Sequence, residues 1–405
     1  MKDNKRAYRF FAACTLLSLA ANFAHPVTPA LIQQRGFGDY MFGVALAAMM
    51  VMNFLTSPFW GRMVNYISSR RVALICCTGY AVGQAMFGLA TSEGMMIGAR
   101  MFAGMFTGGA FTSLLTYLVN TSPEESRSRY LLILATLQTV AGAFGYFVGG
   151  MLGEISLSLA IIAQAIALGA CGVIFYFMWD EDSTTTLKDV KPIKLFKEAN
   201  PLSAFLAGRS MMTPIFVTLF VVCALASLGS VAFDQSFNYY LRAQLGLSSG
   251  YNGVIKAIIG FVCLAANLTV GAWIMKKTDL RRSSIYVYLL CSSAMLAVIF
   301  TSAVIPFIAA NVLYFGFLAI SVPLTQSLVA DRARGKDSNL VMGYYGGLRS
   351  LGGIFGSLSA GFLYTIGPKL PFVLGFSAFV LATLASVYYY VLSRRDETAA
   401  AQLSA

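Results

Sequence analysis

Run after run of about twenty or more apolar residues, each closed by a short polar break, fills this chain from one end to the other. About 20 apolar residues is the length a helix needs to cross a bilayer, and one apolar helix after another of that length cannot be hidden in a water-soluble core. Composition agrees. The 405 residues are 58% hydrophobic and 11% charged, where soluble domains carry about 25% charged residues. The bilayer is the solvent, and twelve spans are expected: 8–32, 39–60, 72–91, 95–119, 130–152, 157–179, 213–241, 251–275, 284–304, 306–330, 339–364 and 370–392.

The basic residues set the expected orientation. A net charge of +12 in a soluble protein points to nucleic acid, but here the cations gather in alternate loops. With the amino terminus inside, one set of loops holds Lys2, Lys5, Arg62, Arg70, Arg71, Lys188, Lys276, Arg281, Arg282, Arg332 and Arg394 among others, and the other set only Arg35, Arg242 and Lys369. That asymmetry places both termini in the cytoplasm and argues against a nucleic-acid partner. The seven cysteines all fall in apolar segments without metal-site or disulfide spacing, so they read as small buried apolar groups. The basic start and first apolar run read as an uncleaved first helix.

The one long polar stretch, 180–212, divides the chain into six spans and six. The two halves also resemble each other. A shift of 211 residues lays LQTVAGAFGYFVGGML, from Leu137, on LRSLGGIFGSLSAGFL, from Leu348, and carries Arg70 and Arg71 onto Arg281 and Arg282. Two separate motifs sharing one offset indicate duplication, and transporters are commonly built from such repeats, with the solute site where the repeats meet. The fold class expected is an all-α membrane protein, twelve transmembrane helices in two pseudo-symmetric six-helix bundles. Residues 1–179 form the first bundle, 180–212 a cytoplasmic central loop, and 213–405 the second bundle with a short cytoplasmic tail.

The loop after the second span reads GRMVNYISSRR and its counterpart after the eighth GAWIMKKTDLRR. The fourth span carries RMFAGMFTGGAFT, and the fifth carries Gly145, Gly149 and Gly150. Here the chain resembles the major facilitator superfamily over essentially its whole length, and in particular its drug/proton antiporter-like exporter branches. Gly61, Arg70 and Arg71 look like that family's loop motif, with Asn65 where an aspartate is usual. Arg100, Gly104, Gly108 and Gly109 look like its arginine-and-glycine motif. Gly145, Gly149 and Gly150 resemble its glycine-rich antiporter motif, with Tyr146 where a proline is usual. The resemblance implies the major facilitator fold and transport by alternating access.

Ionisable groups inside a span are costly and so are functional candidates. Arg349 lies deepest, about 15 Å from the helix end at 1.5 Å per residue. Asp234 is the one carboxylate placed inside a span, and proton-coupled members of the family often keep theirs in the first half, where this chain has none. His25, the single histidine, lies between Asn22 and the helix-kinking Pro26 and Pro29. The expected solute and coupling residues are therefore Asn22, His25, Arg100, Asp234, Asn238, Lys256 and Arg349. Further lining is expected from Asn53, Gln84, Gln138, Asn311, Phe23, Phe237 and Tyr345. Three cations against one acid point to a small organic solute, anionic or zwitterionic and with amphiphilic character.

The function expected is a secondary active transporter, by preference an exporter exchanging its solute for protons, in a bacterial inner or plasma membrane. A lipid or glycolipid flippase, an uptake symporter and a non-transporting receptor are the alternatives. An embedded enzyme finds neither a nucleophile with its base nor a metal cluster. No cofactor or metal is expected, and no nucleotide-binding loop of the G-x-x-x-x-G-K type is present. The expected partners are the solute, a coupling proton and membrane lipids, with the chain a monomer. The topology is tested by labelling with a reagent that cannot cross the membrane: a cysteine introduced at Ser183 is expected to stay unmodified in whole cells and one at Ser248 to react. The reverse pattern contradicts the assignment.

Overall fold

A computed structural model of the chain describes residues 4–182, 212–301, 303–332 and 338–404. The expected central loop lies for the most part outside the described residues. In chain order the helices are α1 (Asn4–Ala20), α2 (Thr28–Gln34), α3 (Met41–Ile67), α4 (Ser69–Leu89), α5 (Glu93–Thr121), α6 (Glu124–Ile155), α7 (Leu157–Met178), α8 (Pro214–Ala243), α9 (Ser249–Ala266), α10 (Ala272–Lys277), α11 (Leu280–Phe300), α12 (Val304–Arg332), α13 (Ser338–Ile366) and α14 (Leu370–Ser404). Among the described residues ten helical stretches are long and apolar enough to span a membrane, α9 and α10 counting as one through the π turn Asn267–Gly271. The two remaining segments are the first, broken into α1 and α2, and α13, which carries Arg349. Together they make the twelve segments of an all-α membrane protein. Large apolar side chains such as Phe177, Phe300 and Ile305 stand exposed on the helices, as lipid-facing positions do.

Proline chemistry breaks the first segment. Pro26 has no N–H to donate and its ring collides with the turn before it. Between Ala20 and Thr28 the ladder tightens to three-residue bonds, Asn22 N to Leu19 O at 3.2 Å and His25 N to Asn22 O at 3.3 Å, before four-residue bonds resume at Thr28.

The described residues fall into two compact units. The first takes those within Met1–Pro201 together with Asn238–Phe261, the second those within Leu202–Phe237 and Val262–Ala405. In the first unit α5 packs against α3 and α4, α7 against α4, and α1 against α6 and α7. At the end away from the basic loops, the segment beginning at Asn238 is tied into this unit by polar bonds. Tyr239 donates its hydroxyl to Asp39, Arg242 Nε donates to Gln33 at 3.2 Å, and Gly250 N donates to Glu154 at 2.5 Å. In the second unit α11 packs against α12 and α14, and α13 against the same two. α14 is 35 residues long, so at 1.5 Å per residue it outruns a hydrocarbon core of about 30 Å.

The sequence repeat has a packing counterpart. A Cβ added at Gly145 would sit 2.3 Å from Leu19 O, and one added at Gly356, its partner in the repeat, 2.3 Å from Leu228 O. Each half thus uses the same glycine to bring the backbone of its fifth helix against that of its first, the close approach that membrane helices rely on. Gly149 continues the seam, with Phe23 O only 2.1 Å from where its Cβ would be.

Substitution should separate this seam from glycines that merely fill helix positions. Gly149→Ala is expected to cost about 1–3 kcal/mol through overpacking. Gly98→Ala, at a position with nothing within 4 Å, should be neutral or mildly stabilising. The thermal midpoints of the two purified variants measure the contrast.

Candidate functional site

Around the break the tightened ladder leaves Ala21 O without a backbone donor and Ala20 O with a long bond from Phe23 N at 3.3 Å, and the first unit supplies a side-chain donor to both. Gln164 of α7 is buried and gives its Nε2 to Ala20 O at 3.0 Å and Ala21 O at 2.9 Å; the Tyr80 hydroxyl reaches Ala21 O at 3.4 Å. Held open this way, the broken segment presents Asn22 and His25 toward α6. Asn22 Nδ2 donates to Ser18 O at 2.8 Å. The His25 ring stacks on Tyr146 with centroids 5.4 Å apart and planes 11° apart, and the ammonium of Lys256 lies 5.5 Å from the centroid of the same ring. The residue at the expected proline position thus gathers two of the predicted site residues around one aromatic ring.

Arg100 belongs to the same unit and is buried, 5% exposed. Its guanidinium lies 3.7 Å from the centre of the Phe87 ring, with Nη2 3.4 Å from Thr28 Oγ1 and Nη1 3.7 Å from Met49 Sδ. Among the described residues its Nε has no hydrogen-bond partner, and the buried Gln84 side chain lies beside the Tyr80 hydroxyl. Asn238 is buried, and its Oδ1 has no hydrogen-bond partner among the described residues.

In the second unit Arg349 lines a cavity of about 40 Å³ together with Cys223, Ser227 and Ser230 of α8, Tyr288 of α11, Ser321 and Thr325 of α12, and Tyr345 of α13. Arg349 remains exposed on its open side. No carboxylate stands among the residues lining this cavity. Asp234 lies on the same helix, four residues beyond Ser230, half-buried and accepting a 3.4 Å bond from Gln235. Phe237, expected at the lining, is packed inside the unit against Phe307 and Phe315. Asn311 is buried and donates to Phe307 O at 2.7 Å. A larger hollow, about 710 Å³, lies in the first unit between α1 and α6 and is lined by Tyr8, Phe11, Tyr130, Ile133, Leu137 and Arg129.

The basic loops carry a further arrangement. Gly61 meets Thr112 only in ordinary contact, at 3.5 Å from its notional Cβ, and Asn65 is exposed. Arg70 and Arg71 instead pair with Glu181, just beyond α7, the second pair at 3.5 Å. Asp182 accepts from Ser69 N at 2.7 Å and Ser69 Oγ at 2.5 Å, satisfying the start of α4 where its dipole is positive. Burial pushes the Glu181 carboxyl up, but the hydrogen bonds from Ser68 and Arg70 and the charges of Arg70 and Arg71 outweigh it and hold it below the ordinary carboxylate range. The second half repeats the device: Arg281, the repeat partner of Arg70, pairs with Glu397 on α14 and with Asp279 at 3.3 Å.

Gln164, Glu181, Asp182, Tyr288, Ser321 and Thr325 were not legible as site residues. Their partners lie in distant helices, and a lone hydroxyl or amide in an apolar span carries no spacing signal.

The family model described as Major Facilitator Superfamily matches residues 10–320. The tetracycline resistance protein, class C, of Escherichia coli is 25% identical over 267 residues, 64% of this chain and 66% of that protein, so the chain spans just under two thirds of that relative. Multidrug resistance protein 2 of Bacillus subtilis (strain 168) is 21% identical over 359 residues, 88% of this chain and 87% of that protein. The solved human organic anion transporter MFSD10 superposes with a TM-score of 0.68 at 19% identity over 95% of this chain and all of that one. The nucleoside transporter NupG superposes with a TM-score of 0.72 at 11% identity, covering 94% of this chain and all of that one.

Gln164→Leu tests the support of the broken segment. It leaves the carbonyls of Ala20 and Ala21 without their amide donor inside an apolar bundle, at an expected cost of about 1–3 kcal/mol. A fall of several degrees in the thermal midpoint, with Gln164→Glu falling less at acid pH than at neutral pH, is the expected result.

Proposed function

The chain belongs to the major facilitator superfamily, and from that footing we propose that it is a secondary active exporter of a small organic solute, anionic or zwitterionic and amphiphilic, driven by proton exchange. A transporter rather than an enzyme is what the family entails. The observation that carries the solute class is Arg349: a guanidinium at an open polar cavity whose wall holds no carboxylate. An embedded cation without an acid beside it is costly when empty and favourable when a solute anion arrives. The hollow lined by Tyr8, Phe11, Tyr130 and Arg129 supports the amphiphilic part, since it offers aromatic walls and one cation. Relatives named for resistance to tetracycline, to multiple drugs and to quinolones support export.

Coupling is assigned to Asp234, the half-buried carboxyl on α8, and solute contact in the first unit to Lys256 and His25 around Tyr146. The loops carrying Arg70 and Arg281 are assigned to the cytoplasmic face, with both termini, of a bacterial inner membrane. Residues 1–179 and 213–405 are assigned as the moving halves and 180–212 as their linker. The pairs that Arg70 and Arg281 make with Glu181 and Glu397 then brace the cytoplasmic end of each half.

Transport in proteoliposomes under an imposed pH gradient tests the reading. Arg349→Ala is expected to fall to the protein-free background with folded protein unchanged. Arg349→Lys keeps charge but loses the planar fork, and should retain on the order of a tenth of the rate. Asp234→Asn should remove the dependence on the pH gradient. Normal gradient-driven transport by Arg349→Ala contradicts the proposal.

A further inference from the structure

The cavity at Arg349 is small and its donors are unevenly spent. By the measure in which one water needs about 10–15 Å³, its volume of about 40 Å³ holds about three waters, so it takes the head of an organic solute and not the whole of it.

A hydroxyl has one hydrogen to give and two lone pairs to accept with. Ser227 gives its hydrogen to Arg349 O at 2.6 Å, Ser230 to Ser227 O at 3.1 Å, and Ser321 to Leu318 O at 2.8 Å. Thr325 gives its hydrogen to Ser321 O at 2.7 Å. The hydrogen between Tyr288 and Thr325 therefore belongs to Tyr288. Five of the six hydroxyls of the wall are thus already committed as donors and offer the cavity lone pairs, Thr325 one fewer because it accepts from Tyr288. The sixth, Tyr345, hydrogen-bonds Arg349 and belongs to its side of the cavity. Arg349 offers N–H groups only. The wall is a donor on one side and an acceptor on the other.

We infer that the Arg349 cavity recognises a head group in which a carboxylate sits beside a hydrogen-bond donor, as in an α-amino or α-hydroxy acid, with the carboxylate on Arg349 and the donor on the collar of Ser227, Ser321 and Thr325. This rests on the reading of Arg349 as the solute's anion partner and adds what stands next to the anion. A bare anion would satisfy the guanidinium and leave the collar facing it with lone pairs, which repel. A bare cation would meet the guanidinium head-on. The stripe Cys223, Ser227, Ser230 and Asp234 runs along one face of α8 at three- and four-residue spacing, so a solute leaving the cavity upward along α8 passes Asp234 next.

Thermal shift of the purified full chain, at matched ionic strength, tests this with simple probes: glycine and glycolate (carboxylate with adjacent donor), acetate (carboxylate alone), ethanolamine (donor alone) and chloride. A ligand that binds only the folded state raises the midpoint in proportion to its occupancy. Glycine or glycolate should raise it at least about twice as much as acetate, with ethanolamine and chloride without effect. Thr325→Val and Ser321→Ala should erase the advantage over acetate while Arg349→Gln erases every shift. Equal shifts for acetate and glycine in wild type, or an advantage that survives both collar variants, overturn the inference but leave Arg349 as an anion site. Shifts that persist in Arg349→Gln overturn both, and no shift from any probe in wild type overturns the head-group site.

Discussion

Hydrocarbon offers a backbone no hydrogen-bond partner, and the rest of this structure follows from how the chain meets that condition. Most segments meet it by being uninterrupted helices. The first does not, because Pro26 stops its ladder. Ala21 O loses its four-residue donor because His25 N turns to Asn22 O, and Gln164, an amide sent from α7, binds it and shares Ala20 O with Phe23 N. That single side chain lets a broken helix exist at membrane depth, and the break is what brings His25 and Asn22 out of a regular helix face and against Tyr146 and Gly142.

The same economy appears twice because the chain is a repeat. Gly145 and Gly356 each admit a carbonyl of their own half's first helix at 2.3 Å from a notional Cβ, so the fifth helix and the first share a backbone seam in both halves. Arg70 and Arg281 each find a carboxylate near the end of their half's last helix, Glu181 just beyond α7 and Glu397 in the final turns of α14. Where the halves differ is at the polar interior. In the first unit the guanidinium of Arg100 is closed in against Phe87. In the second that of Arg349 opens on a collar of hydroxyls. The duplicated scaffold thus carries one closed and one open cation.

Much of the fold was legible in the sequence because its causes are local. Span length, proline breaks and glycine spacing all act within one helix or between neighbours, and they placed the segments, the kink at Pro26 and the repeat. The site was less legible. Arg349 and His25 stand out by type alone, but the partners that define their surroundings come from far along the chain: Gln164 acts on Ala20 across 144 residues, and Glu181 acts on Arg70 across 111. Asn65 stands where the family usually has an aspartate, and the acids that meet this loop's cations and helix start, Glu181 and Asp182, come from a stretch that reads as plain polar loop. Phe237 has the composition of a lining residue and the packing of a core one. Side-chain type gives cost and chemistry; which face it looks onto is fixed only when the helices pack.

The account stands on the chain being a carrier whose solute site is reached alternately from the two sides of the membrane. Counterflow tests that most directly, since only a carrier can draw a labelled solute into vesicles against its own gradient when the unlabelled solute is trapped inside. With a fluorescent amphiphilic amino acid as the solute and no pH gradient imposed, the account predicts a transient overshoot of label in vesicles containing the protein. Label that only equilibrates, at the same rate with and without trapped solute, would contradict it.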